Sequence, residues 1–272
     1  MTDRTLVLLG RIVALVTIAC GLFAVVVLIA SDGPTPSMST MLEKLSGTII
    51  PPAVVLIALP RVPRNGSVWA FAFVGLFLGF QVLGDAVAWA IAGIDSAAVT
   101  NLATSVAPAD IPLSAAIGVT VALTAWIPGF VLIPTLVLLL FPDGRFPDPQ
   151  RWWRWVGRLT IGVAIVGMIA IAFQYPPTST TPYRELTSDV TPASAVAGIG
   201  TMLFIVLAVV SIVGYGLKWK RATGDVRLQY RWVGFAFFGF SIWTVASIVL
   251  DPFIDGSVDT LVSWVMIILI TP

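Results

Sequence analysis

The chain has 272 residues, of which 58% are hydrophobic and only 11% charged, with a formal net charge of +1 and a mean hydropathy of +0.98. No soluble domain needs that apolar share to fill a core, so the composition points to a protein embedded in lipid. Histidine is absent and cysteine occurs once. This excludes an intrachain disulfide and histidine-based catalysis, and no cofactor, metal or nucleic-acid partner is expected.

Eight apolar runs follow one another along the chain. The first four are Ile12–Ala30, Leu45–Leu59, Val68–Ile94 and Leu113–Leu140; the last four are Leu159–Tyr175, Ala195–Leu217, Trp232–Leu250 and Thr260–Pro272. A hydrocarbon layer of roughly 30 Å needs about 20 apolar residues in a helix. None of the runs alternates as a barrel strand does, and a helix satisfies its own backbone polar groups where lipid offers no partner. The expected fold is all-α: a polytopic transmembrane helical bundle, one domain over residues 1–272. The second run is short, but Thr40 and Glu43 form a capping box that predicts an earlier helix start, and Pro51 and Pro52 predict a kink. Pro128, Gly129 and Pro134 predict a bend in the long fourth run, because each proline removes an intrahelical bond. Thr191 and Pro192 fit an N-cap and first turn for the sixth.

Fifteen Lys and Arg residues set the orientation. All but Lys44 and Arg184 fall on one side: Arg4, Arg11, Arg61, Arg64, then Arg145, Arg151, Arg154 and Arg158, then Lys218 through Arg231. The positive-inside rule makes that side cytoplasmic and puts the N-terminus inside a multi-pass protein of the inner (plasma) membrane. Arg4 and Arg11 ahead of an apolar stretch also fit a signal peptide, but the stretch is longer than an h-region and no A-x-A site follows at Ala30. The last run would span only roughly 20 Å at about 1.5 Å per residue, so the chain is expected to continue past Pro272 into the cytoplasm.

Polar residues inside the runs are few. Asp85, with Gln81 and Trp89, makes an i, i+4, i+8 stripe on the third helix near its outer end, where water is expected to reach it. An ionisable group in lipid is costly and is by default functional; the alternatives are a packing hydrogen bond or sensing of a ligand, ion or proton. Gly75 and Gly79 form a GxxxG pair for close helix approach, internal or across a dimer seam. Ser241, Thr244 and Ser247 form a small polar face suited to packing, and Cys20 fits a buried small hydrophobe. The loop Phe141-Pro142-Asp143-Gly144-Arg145 reads as a turn. It leads to Arg151-Trp152-Trp153-Arg154-Trp155, whose tryptophans and arginines fit a membrane-interface belt that also attracts anionic headgroups. Residues Lys218 to Arg231 fit a helix extended below the membrane.

The phrases Arg64-Asn-Gly-Ser-Val-Trp69, Leu138-Leu-Leu-Phe-Pro-Asp-Gly-Arg-Phe-Pro-Asp-Pro-Gln-Arg-Trp-Trp153 and Arg227-Leu-Gln-Tyr-Arg-Trp-Val233 together resemble the N-terminal multi-span membrane (sensor) region of actinobacterial sensor histidine kinases of the nitrate/nitrite-response type. The resemblance runs over nearly the whole chain. It implies a signal-input module of a two-component system, whose partners are the lipid bilayer, a second copy as a homodimer, a cytoplasmic kinase output domain and a response regulator. The chain itself has no phosphoryl-accepting histidine and no glycine-rich nucleotide box, so no catalytic residue is carried over. A stand-alone multi-span membrane protein or a transporter component is the alternative, with Pro51-Pro52 and Pro128-Gly129 as candidate helix breaks.

Overall fold

A computed structural model describes residues 2–30, 38–94, 106–148 and 150–235. Among these residues every regular element is helical. In chain order they are α1 (Asp3–Ala30), α2 (Met38–Ala58), α3 (Gly66–Ala92), α4 (Leu113–Leu140), α5 (Gln150–Gln174), α6 (Tyr183–Ser188), α7 (Pro192–Arg221) and α8 (residues 224–235). A 3-10 turn, Pro108–Asp110, leads into α4. Five of the helices, α1, α3, α4, α5 and α7, are long and apolar enough to cross a membrane, whereas the apolar part of α2, Gly47–Ala58, is shorter. Of the seventh predicted run only residues 232–235 are described, and they are helical. The eighth run and the Ser241, Thr244, Ser247 face lie outside the described residues, as do the side chains of the Thr40 and Glu43 capping box.

The helix ends differ from the apolar runs mainly at the N-terminal side, where α1, α2, α3, α5 and α7 begin earlier; α4 matches its run, and α2, α3 and α5 stop one or two residues before theirs. The first helix begins at Asp3, not Ile12, because the Thr2 hydroxyl accepts from the Thr5 backbone N–H at 3.3 Å and Asp3 complements the helix dipole. The fifth begins at Gln150, not Leu159. Hydropathy marks only the stretch that suits hydrocarbon, and a helix is free to continue into polar surroundings. The predicted cap of α7 is present in reciprocal form: Thr191 Oγ1 accepts from the Ser194 N–H at 3.1 Å, and Ser194 Oγ accepts from the Thr191 N–H at 2.9 Å.

The prolines are absorbed without unwinding. Pro51 and Pro52 lie inside continuous α2 and pack on Gly75. The fourth helix carries Pro128 in its α-helical part and takes up Pro134 in a π-helical turn, Ile133–Val137. There the Thr135 hydroxyl donates to the Val131 carbonyl, satisfying an acceptor near the disturbed ladder.

Residues 1–215 form one compact unit and residues 216–272 a second. In the first, α1 turns mostly small residues inward and large apolar ones outward. Gly10, Ala14, Thr17, Gly21 and Ala24 of α1 are buried, while Leu15, Leu22, Phe23 and Val26 are exposed. That is the reverse of a water-soluble bundle, where burial of large side chains drives folding. It suits helices that associate by close backbone packing in a solvent as apolar as leucine. Helices α3 and α4 cross backbone to backbone: a Cβ on Gly84 would lie 2.6 Å from the Gly118 carbonyl oxygen, and one on Gly118 would lie 2.7 Å from that of Gly84. Gly75 and Gly79 also face inward, against Thr17, Cys20, Pro51 and Pro52, so the GxxxG pair is an internal contact. Cys20 is half-buried beside Gly79, not fully buried. In the second unit α7 ends in Lys218, Lys220 and Arg221, and α8 starts after a two-residue break at Gly224, whose φ of 58° is left-handed.

Candidate functional site

Two of the sequence phrases singled out above meet at one end of the bundle. Asn65 caps α3, its Oδ1 accepting from the Ser67 N–H at 2.9 Å, while its Nδ2 donates to the Pro142 carbonyl at 2.8 Å. Ser67 Oγ donates to the Leu140 carbonyl at 3.0 Å, and the Gly144 N–H donates to the same oxygen at 2.7 Å. The last carbonyl of α4 thus receives donors from the first turn of α3 and from the loop itself, where a helix end would otherwise leave it bare. Gly144 has φ 72°, and a Cβ on it would lie 2.7 Å from Asn65 Oδ1. Only glycine fits both the left-handed backbone and the space. The Asp143 carboxylate accepts from the Arg145 N–H at 3.3 Å, closing the turn.

The rest of the loop ties in the neighbouring helices. Phe146 folds back on Gly157 of α5 and, like Leu136, packs on the cluster of Ala70, Val137 and Leu140. Trp69 Nε1 donates to the Pro63 carbonyl at 2.9 Å. Arg64 Nε donates to Asp3 Oδ1 at 2.8 Å, linking the start of α1 to the α2–α3 connection; both side chains are exposed, so the pair is worth little in energy. The start of α1, the α2–α3 and α4–α5 connections and the start of α5 therefore share one end, and Arg4, Arg61, Arg64, Arg145, Arg151 and Arg154 sit on these segments.

The five residues from Arg151 to Trp155 divide between two directions. Trp153 is buried in a cluster with Leu139, Val156, Val163 and Leu207, and α7 reaches this cluster at Gly214. It is a packing residue, which corrects its place in an outward belt. The period of the helix turns Trp152 and Trp155 outward, at 62% and 60% exposure. Arg154 Nη2 donates to Gln150 Oε1 at 2.8 Å, and the Arg158 guanidinium lies 5.3 Å from the centroid of the Trp155 ring.

The stripe on α3 is partly interior. Asp85 is buried and has a partner, so its side chain is not the water-accessible group expected from its position in the run. Trp89 is half-buried on a cluster of Ala24, Leu28, Val82 and Ala86, and Gln81 is half-buried one turn before Asp85. The same face that carries the acid is therefore committed to packing against α1.

At the opposite end a feature emerges that sequence reading missed. Tyr183, the first residue of α6, is fully buried among Ala88, Ile94, Val119, Leu123 and Tyr175. Its backbone N–H donates to the Val106 carbonyl at 3.3 Å, but its phenol oxygen has no hydrogen-bond partner. Burial pushes the Tyr183 phenol up to about 12. Thr120 Oγ1 donates to the Tyr175 carbonyl at 2.8 Å, fixing the end of α5 against α4.

Among the described residues no group of three or more His, Cys, Asp or Glu side chains is placed to hold a metal. The guanidiniums and indoles at the basic end suit anion and interface contact. No protein-family model, no curated protein and no solved structure matches the chain.

Proposed function

We infer that the chain is the multi-pass signal-input region of a plasma-membrane receptor, with its N-terminus and basic end cytoplasmic, coupled to a kinase output domain that acts through a response regulator. The observation that carries this reading is the junction of Asn65, Ser67, Leu140, Pro142 and Gly144. It is built from two of the three phrases on which the resemblance to sensor histidine kinases rests. Such a junction couples the first turn of α3 to the last turn of α4 and, through Phe146, to the first turns of α5, which is what a helical relay requires at its output end. Transport is favoured less: alternating-access carriers use unwound helices at the midplane, whereas α2 stays helical through Pro51-Pro52 and α4 through Pro128.

The reading frame downstream of codon 272 tests the proposal. It is expected to encode a histidine-bearing helix and then an ATP-binding domain. An immediate stop codon would overturn the kinase reading in favour of a stand-alone membrane protein.

A further inference from the structure

The first turns of α5 present charge that no carboxylate among the described residues neutralises. Arg151, Arg154 and Arg158 are all exposed, and the described contacts of Arg154 and Arg158 are to a neutral amide and an indole, not to a carboxylate. Asp148, the nearest acid in sequence, forms no ion pair with them among the described residues. At i, i+4 and i+7, Arg151, Trp155 and Arg158 share one face of the helix.

That face continues as an apolar track. Below Arg158 come Gly162 and Val166, with Leu159 alongside; Leu159 and Val166 are 50% and 48% exposed. A Cβ on Gly162 would meet nothing within 4 Å, so a notch lies open between them. From Trp155 to Val166 the helix rises about 16 Å at about 1.5 Å per residue, close to half of a hydrocarbon layer of roughly 30 Å. A cationic head over an indole, followed by an apolar track one leaflet deep, has the dimensions and the charge of a single phospholipid.

We propose that the outer face of α5 is a binding site for one anionic phospholipid, its phosphate held by Arg151, Arg154 and Arg158 and one acyl chain laid along Trp155, Gly162 and Val166. The site requires the chain to be in a bilayer but does not depend on an output domain. Guanidinium is suited to phosphate because its planar fork donates two parallel hydrogen bonds. The Trp155 ring, 5.3 Å from the Arg158 guanidinium, restricts that side chain and so lowers the ordering cost of a phosphate contact. Each arginine near an anionic surface contributes roughly a fivefold preference.

The test is native mass spectrometry of the whole chain released from bilayer discs of equimolar phosphatidylglycerol and phosphatidylcholine. Retained phosphatidylglycerol is expected to exceed phosphatidylcholine by about tenfold or more. The R151Q/R154Q/R158Q variant should retain the two lipids equally, while K218Q/K220Q/R221Q, which loses the same charge elsewhere, should keep the preference. Gly162→Trp, with every charge intact, should lower retention by filling the notch, and it covers the case in which the triple arginine variant fails to fold. Excess inorganic phosphate should leave the lipid in place. No preference in the native chain, equal loss in both triple variants, or displacement by inorganic phosphate would each overturn the site. Retained phosphatidylcholine reports membrane embedding separately, so failure of the lipid site is distinguishable from failure of the membrane reading.

Discussion

Asn65 serves two elements at once, capping α3 with its oxygen and holding the α4–α5 loop with its nitrogen. Asn65→Ala should therefore cost more than an ordinary cap, about 1 to 2 kcal/mol, measured as a loss of thermal stability in detergent. Gly144→Ala should be at least as damaging, since it adds left-handed strain of about 1–2 kcal/mol to a steric clash. Tyr183 predicts the opposite sign. Its buried hydroxyl is unpartnered, so Tyr183→Phe should raise stability by about 1 kcal/mol at neutral pH. Because the folded phenol titrates near 12, above the ordinary value of 10.0, its neutral form favours folding below pH 10, and that contribution is lost as pH rises through 10 to 12. A melting temperature that falls in this window for the native chain, and less for Tyr183→Phe, is the expected result. An identical decline in both would show that the phenol does not titrate differently on folding.

At the scale of the element, helices were legible and their limits were not. Apolar runs exposed α1, α3, α4, α5 and α7 because lipid demands an unbroken apolar surface, but helix α5 reaches nine residues back into Arg and Trp that hydropathy counts as polar. Pro134 signalled a disturbance in α4, and the structure shows which kind: a π-helical turn. Spacing marks Gly75 and Gly79 but not Gly84 and Gly118, where the backbones of α3 and α4 come into contact. One glycine on each of two helices leaves no spacing to detect; the contact exists only once the helices cross. Gly84→Ala and Gly118→Ala should each destabilise the bundle by about 1 to 3 kcal/mol through overpacking, whereas Gly198→Ala, with open space around it, should not. Loss of monodisperse elution on heating, compared across the three variants, checks the ranking.

For the whole molecule, charge along the sequence anticipated an arrangement in space: the segments bearing Arg4, Arg61, Arg64, Arg145, Arg151 and Arg154 converge on one end. What the sequence could not convey was the joining of residues 64–69 to residues 138–146, because a hydrogen bond between Asn65 and Pro142 spans 77 positions. Nor did it mark Trp153 as interior, since five consecutive interface-type residues look alike until helical phase is fixed by packing. Tyr183 escaped notice because an isolated tyrosine in a polar connection carries no periodic signal. The central claim is that the basic end faces the cytoplasm, and cysteine accessibility in intact cells tests it most directly. Gly144 is unsuitable as a probe because it admits no side chain, so exposed Asp148 and Thr180 serve instead, each changed to Cys in a Cys20→Ser background. An impermeant maleimide should label T180C from outside and reach D148C only after the membrane is permeabilised; labelling of D148C in intact cells with protection of T180C would contradict the orientation.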